Sequence, residues 1–65
     1  MKKFKKGDLV SVGGFDYPKG RVRGKITSVN IDHAFVLFNQ KCLFSGEYRQ
    51  KWLIIIKDLK KIKNG

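Results

Sequence analysis

Apolar and polar residues alternate near the start of the chain. Along Leu9–Val12, Val10 and Val12 fall on one side of an extended backbone, and Leu9 and Ser11 fall on the other. A period of two is the signature of a strand with one buried face. The pattern therefore predicts a short first strand at these four positions.

A longer alternating segment runs from Arg21 to Ile31. Its apolar positions share one face and its basic positions share the other; the apolar set is Val22, Gly24 and Ile26, and the polar set is Arg21, Arg23, Lys25 and Thr27. A glycine inside a strand indicates a bulge or a close backbone approach. The apolar phase changes near Ser28, because Val29 and Ile31 fall on odd positions, and this predicts a β-bulge there.

The segment between these two strands has the composition of an exposed loop. Residues 13–20 contain three glycines, Asp16 and Pro18. The same loop carries two aromatic residues. We expect Phe15 to fold back over one end of the core and Tyr17 to be exposed.

The second half of the chain predicts three more strands. Ala34–Phe38 is apolar on both faces, and Lys41–Phe44 is compatible with its extension past a less clear segment. Tyr48–Ile56 is rich in aromatic and β-branched residues, as strands are. A tight turn at residues 57–59 then leads into a last short strand, Lys60–Lys63.

A C-terminal amphipathic helix is the alternative for the end of the chain. Five apolar residues there also fit helical spacing: Trp52, Ile55, Ile56, Leu59 and Ile62. The β-branched run Ile54–Ile56 and the absence of an N-cap residue before it favour strand and turn instead.

These elements predict an all-β fold, a small five-stranded β-barrel that occupies residues 1–65 as a single domain. A chain of 65 residues buries only about 60% of its unfolded surface. It has room for one small core and little room for a deep catalytic cleft. We therefore expect a binding module and not an enzyme.

The charge balance points to a negatively charged partner. The chain has 15 Lys and Arg against 5 Asp and Glu, a formal net charge of +10. So large a charge on so small a surface exceeds what solubility requires. Nucleic acid, either DNA or RNA, is the first partner that such a balance indicates.

The basic residues of the second strand are the sharpest candidate site. Arg21, Arg23 and Lys25 alternate with apolar residues, so they should project from one face about 7 Å apart. Successive phosphates of extended nucleic acid are separated by roughly the same 6–7 Å. Arg49 and Lys51 repeat the pattern on the fourth strand. The alternative interpretation is a solvated strand face that charge keeps soluble.

Lysines also cluster at both ends of the chain. They are Lys2, Lys3, Lys5 and Lys6 at one end and Lys57, Lys60, Lys61 and Lys63 at the other. The first and last strands of a small barrel commonly pair, which would bring these charges together. A bound polyanion would relieve their repulsion. The alternative is two flexible tails.

The aromatic residues divide into candidate ligands and candidate core. Tyr17 stands near Lys19 and Arg21, and an aromatic ring beside basic residues is typical of base stacking on single strands. Tyr48 and Trp52 are expected in the core. Phe35 and Leu37 are expected either to cap a second small core beneath the C-terminal segment or to form an exposed patch for a protein partner.

The sequence gives little support for a disulfide, a metal site or a membrane span. Cys42 is the only cysteine, which excludes an internal disulfide and a cysteine-rich zinc site. His33 stands beside Asp32 without further spaced ligands, so we expect no metal and no cofactor. No apolar run reaches membrane length and no signal-peptide pattern follows Lys2 and Lys3, so we expect no membrane contact and a cytoplasmic location. The oligomeric state is left open.

The first half of the chain resembles a known motif. Lys5-Lys6-Gly7-Asp8-x-Val10-x-Val12, with Gly14, Asp16, Gly20, Gly24, Ile26 and Val29, resembles the KOW motif of ribosomal proteins and transcription elongation factors. Lys57-Asp58-Leu59-Lys60-Lys61-Ile62 is similar to the turn and closing strand of KOW, Tudor and related barrels. The resemblance implies a Src-homology-3-like barrel that binds RNA, DNA or a protein tail through its loops and one sheet face. The loop after the first strand is longer than in KOW sequences, and Gly24 is displaced.

Three functions follow as hypotheses. The first is a nucleic-acid-binding barrel that acts mainly through phosphate contacts with low sequence specificity. The second is a protein-interaction module, a small accessory or phage-type protein that docks on a larger machine. The third is a structural subunit of a ribonucleoprotein. The candidate binding residues are Arg21, Arg23, Lys25, Lys19, Tyr17, Arg49, Lys51, Lys5, Lys6 and Lys60.

Overall fold

The structure, a computed structural model, describes residues 4–62. It is all-β, as the alternating pattern predicts. The strands are β1 (Leu9–Val12), β2 (Val22–Val29), β3 (His33–Phe44), β4 (Glu47–Ile55) and β5 (Lys60–Lys61), with one 3₁₀ turn, Ile56–Asp58. All neighbours are antiparallel in a single five-stranded sheet of order β4-β3-β2-β1-β5. Within residues 4–62 no strand pairing joins β4 to β5, so the sheet is not hydrogen-bonded into a closed barrel.

The helix considered for the C-terminal segment is absent from this part of the fold. The backbone stays extended to Ile55 because β4 pairs with β3 over its length, from Phe44 opposite Glu47 to His33 opposite Ile55. Only the single 3₁₀ turn follows. Lys63, the expected end of the last strand, lies outside the described residues.

One face of the sheet packs into the core. The buried strand residues are Val10, Val12, Val22, Ile26, Ala34, Val36, Phe38 and Cys42. Phe15 from the first loop and Leu59 after the 3₁₀ turn complete the core. Phe15 is only 8% exposed and meets the ring of Phe38 edge-on at 5.2 Å. The expectation that it folds back over the core is confirmed.

Gly24 marks a close approach of β3 to β2 and not a bulge. It pairs with Phe38, and a Cβ at position 24 would lie 2.6 Å from Val36 Cγ1 and 2.9 Å from Phe38 Cδ1. Only glycine leaves room for both core side chains. The register shift itself lies between Ile26 and Ser28, where the phase change predicted it.

The phase change does not carry later apolar residues into the core. Val29 is 37% exposed, and Ile31 lies in the turn after β2 and is 98% exposed. The expected strand Arg21–Ile31 is therefore shorter, Val22–Val29. Within residues 4–62, no neighbouring side chain covers Ile31, which is exposed in the connection between β2 and β3.

A second irregularity interrupts the pairing of the long strand β3 with β4. The five-residue step from Leu37 to Cys42 faces a two-residue step from Lys51 to Arg49 on β4. The side chain of Gln50 fills the interruption, since its Nε2 donates to the Phe38 carbonyl at 3.0 Å. Within residues 4–62, the pairing of β3 with β2 ends at Phe38, before the extra residues.

The first loop takes the place that β2 leaves beside β3. The Asp16 amide donates to the Leu43 carbonyl at 2.7 Å, and the Leu43 amide donates to the Tyr17 carbonyl at 2.6 Å. Ser45 and Gly46 connect β3 to β4 with φ values of 55° and 79°, the two positive angles of a type I′ hairpin turn. The loop between β1 and β2 is therefore joined by backbone hydrogen bonds to the end of the β3–β4 hairpin.

Candidate nucleic-acid interface

Five basic side chains lie on or beside the outer face of the sheet, opposite the core. We call them the cationic face: Arg21, Arg23, Lys25, Lys51 and Lys60. On β2, exposed Arg23 and Lys25 alternate with buried Val22, Gly24 and Ile26, so the predicted alternation is confirmed.

The strand register sets the spacing of these cations. Ser11 is the cross-strand partner of both Arg23 and Lys60. Leu37 is the partner of both Lys25 and Lys51. Neighbouring strands lie about 4.8 Å apart, so the backbones of Lys25 and Lys51 are about 10 Å apart, and Arg23 and Lys25 are about 7 Å apart along β2.

The charges of the cationic face are not neutralised by acidic partners in residues 4–62. The ion pairs there join Arg49 to Glu47 and Lys61 to Asp8, and the Asp32 carboxylate contacts the His33 ring. None of them includes a member of the cationic face. The acidic residues lie instead in turns and at the hairpin tip.

Arg21 is held in place at the edge of this face. It precedes β2, and its Nε donates to Ser11 Oγ at 3.0 Å while its Nη2 donates to the Ser11 carbonyl at 2.8 Å. Arginine has five N–H donors, so three remain for a ligand. These bonds orient the guanidinium before any anion arrives.

Arg49 does not belong to the cationic face, and the prediction that it repeats the β2 pattern beside Lys51 is wrong. The β3 bulge breaks the alternation of β4 between positions 49 and 51. The Arg49 guanidinium lies 5.4 Å from the centroid of the Trp52 ring and forms an ion pair with Glu47. Its charge is therefore partly compensated at the hairpin tip.

Tyr17 is positioned beside the far half of β3 and not on the cationic face. Tyr17 is 53% exposed, which confirms its expected exposure. Its backbone, however, is fixed to Leu43 in the far half of β3, beyond the point where β2 leaves that strand. Lys19 is exposed in the same loop.

The two ends of the described chain meet, as predicted. The Ile62 amide donates to the Leu9 carbonyl at 3.0 Å. Lys5 and Lys6 are exposed in a turn that is closed by Asp8, whose Oδ2 accepts from the Lys5 amide at 3.0 Å. Lys61 forms an ion pair with the same carboxylate, and its Nζ lies 3.6 Å from Asp8 Oδ2. Lys2, Lys3 and Lys63 lie outside the described residues.

Four large apolar side chains share the outer face with the cations. We call them the apolar stripe: Phe35, Leu37, Leu53 and Ile55, which are between 40% and 49% exposed. No second core covers Phe35 and Leu37 within residues 4–62, so that expectation is wrong, and the two side chains are exposed as the alternative expected. Sequence reasoning did not identify Leu53 and Ile55 as exposed. Both are an odd number of residues from Trp52 on β4, so strand alternation places them on the opposite face of the sheet from Trp52.

Three other aromatic residues form a cluster on the core side of the sheet. Phe15, Phe44 and Trp52 pack against one another with ring centroids 5.8–6.4 Å apart. They line an apolar groove of about 310 Å³ beside Ile54. Trp52 is half-buried, whereas Tyr48 is 54% exposed, so the expectation that Tyr48 is a core residue is wrong.

The described part of the chain offers few groups suited to metal binding. Between residues 4 and 62 no three His, Cys, Asp or Glu side chains come together as a metal site would require. His33 Nδ1 lies 2.7 Å from Asp32 Oδ1. The same part of the chain contains no helix that is long and apolar enough to cross a membrane.

Cys42 is buried in the core, which raises the pKa of its thiol above the usual cysteine value. The thiolate, which is the reactive form, is therefore scarce near neutral pH. We expect the native protein to react with Ellman's reagent at pH 8 at least about tenfold more slowly than the same chain in guanidinium chloride. Equal rates would show that the thiol is accessible in the fold.

The chain was also compared with family models, with curated proteins and with solved structures, and none of these comparisons found a match.

Proposed function

We propose that this protein is a nucleic-acid-binding module that contacts the phosphate backbone through the cationic face, with low sequence specificity and without enzymatic activity. The observation that carries the proposal is the set of cations on one side of the sheet that no acidic residue in 4–62 neutralises. The formal net charge of +10 adds a long-range attraction for any polyanion.

Low specificity follows from the chemistry of the contacts. Lysine and arginine side chains that meet phosphates position a protein on nucleic acid but read no bases. The cations lie on a sheet face, and residues 4–62 contain no α-helix that would enter a major groove. The proposal covers both DNA and RNA, in a cytoplasmic setting.

The same proposal includes a Src-homology-3-like barrel of KOW type as a single domain over residues 1–65. Its support is the 3₁₀ turn Ile56–Asp58 followed by β5 paired with β1, at the positions where the sequence resembles the closing turn and strand of such barrels. The two register shifts add support, because irregularities of this kind increase the local twist of a strand and allow a sheet to curve.

A protein-interaction module is the second candidate. The apolar stripe favours it, because exposed apolar side chains that lie together commonly mark contact surfaces. Such binding would be driven by apolar burial and would tolerate salt. Binding through the cationic face would not.

Fluorescence anisotropy with labelled random duplex DNA, single-stranded DNA and RNA across a salt series tests the proposal. If three to five phosphates are neutralised, log K should fall linearly with log salt with a slope of about −3 to −5 on duplex DNA, and somewhat less on single strands. No binding at low salt would refute the proposal. Binding that salt does not weaken would favour the second candidate.

A further inference from the structure

We infer that the outer face takes single-stranded nucleic acid in preference to duplex, with a base stacked on Phe35 and the adjoining phosphates on Lys25 and Lys51. This inference rests on the proposed function, because it assumes that the cationic face binds a phosphate backbone. It adds the class of nucleic acid and a residue that touches the bases.

Phe35 is the aromatic side chain that combines exposure with a neighbouring member of the cationic face. It is 40% exposed on the outer face, opposite Leu53 of β4. Lys51 Nζ lies 5.4 Å from the centroid of its ring. The ammonium therefore lies over one face of the ring, and a base stacked on that face takes its place while the ammonium binds the adjoining phosphate.

The neighbours of Phe35 fit a polymer that alternates a flat apolar group with an anion. Leu37 lies two residues along β3, about 7 Å away, and stands between Lys25 and Lys51 in the sheet. The backbones of those two lysines are about 10 Å apart, and their flexible side chains bridge the difference from the roughly 6–7 Å between successive phosphates. One base can cover Phe35 while its phosphates reach the two lysines.

A duplex does not fit this surface as well. Its exterior is phosphate and sugar, and its base faces are stacked inside, so it would leave the apolar stripe against polar groups. An unpaired strand offers base faces that stack on aromatic side chains whatever their sequence. The mixture of apolar and cationic residues on one face therefore favours single strands.

The other aromatic residues are less suited to stacking. Phe15, Phe44 and Trp52 already pack against one another on the core side. The arginine beside Trp52 is paired with Glu47. The sequence places stacking on Tyr17, but the structure fixes that residue beside Leu43, away from the cationic face.

Anisotropy with three probes of equal length separates stacking from phosphate contact. The probes are an oligothymidylate, an abasic strand and a duplex of about 12 nucleotides or base pairs, within the site sizes of small single-strand-binding domains. The test variants are Phe35→Leu, which keeps the apolar bulk but loses the aromatic face, and Phe35→Trp, which keeps the face. Tyr48→Leu is the matched control, since Tyr48 is exposed at the hairpin tip.

We expect Phe35→Leu to weaken oligothymidylate binding by about 5- to 150-fold, the range for loss of one stacked base. Abasic and duplex binding should be unchanged, and Phe35→Trp and Tyr48→Leu should bind like the parent. If the parent binds duplex as well as single strands and Phe35→Leu has no effect, this inference is wrong while the proposed function stands. If no probe binds at low salt, both fail, and a protein ligand for the apolar stripe is indicated.

Discussion

Replacing Gly24 by alanine should destabilise the fold by about 2–3 kcal/mol, the upper range for forcing extra volume into a packed core. The new Cβ would lie 2.6 Å from Val36 Cγ1, 2.9 Å from Phe38 Cδ1 and 3.0 Å from the Leu37 carbonyl oxygen. Val36 and Phe38 are fully buried, so neither has free space to move into. For a domain of this size the loss corresponds to a fall in Tm of roughly 10–20 °C.

Gly13→Ala is the matched control for thermal unfolding followed by circular dichroism. A Cβ at Gly13 would meet its nearest atoms, both in the Arg21 side chain, at 3.4 and 3.5 Å, which is ordinary contact. Its backbone does not require positive φ, so alanine should fit there. Equal Tm values for the two variants would mean that β2 and β3 do not approach each other as closely as the structure shows.

Reversing two charges on the cationic face should abolish most of the nucleic-acid binding. In the double variant Arg23→Glu with Lys25→Glu, two phosphate contacts are lost and two repulsive charges replace them. Each phosphate contact contributes about tenfold in affinity near 0.1 M salt through counterion release. We therefore expect a loss of at least about 100-fold at that salt. Both side chains are exposed, so the fold should tolerate the change.

A second double variant separates the effect of net charge on binding from the effect of where the charges lie on the surface. Lys41→Glu with Lys57→Glu lowers the formal net charge from +10 by the same four units. Lys41 lies in the β3 bulge and Lys57 in the 3₁₀ turn, both exposed and neither in the cationic face. A polyanion attracted only by net charge would respond equally to the two variants.

The parts of the fold that follow a local rule could be predicted from the sequence. The two-residue period of β1 and β2 assigns buried and exposed faces directly, because successive side chains of a strand alternate. Gly24 and the change of phase near Ser28 are visible for the same reason. The tight turn before β5 is readable from Lys57-Asp58-Leu59.

Other features depend on contacts that are distant in the chain. Arg49 leaves the face of Lys51 because β3 bulges opposite it, and nothing near Arg49 in sequence signals that shift. Tyr17 is placed by hydrogen bonds to Leu43, 26 positions later. The outward position of Phe35 was readable from alternation, but its exposure depends on whether another segment covers it.

The comparison of the two charge-matched double variants by anisotropy, on the same labelled nucleic acid at the same salt, tests the proposed function most directly. Circular dichroism first establishes that both variants are folded. The account predicts that Arg23→Glu with Lys25→Glu loses at least about 100-fold in affinity, whereas Lys41→Glu with Lys57→Glu loses only a few-fold. Equal losses would contradict it, because binding would then depend on net charge and not on the cationic face.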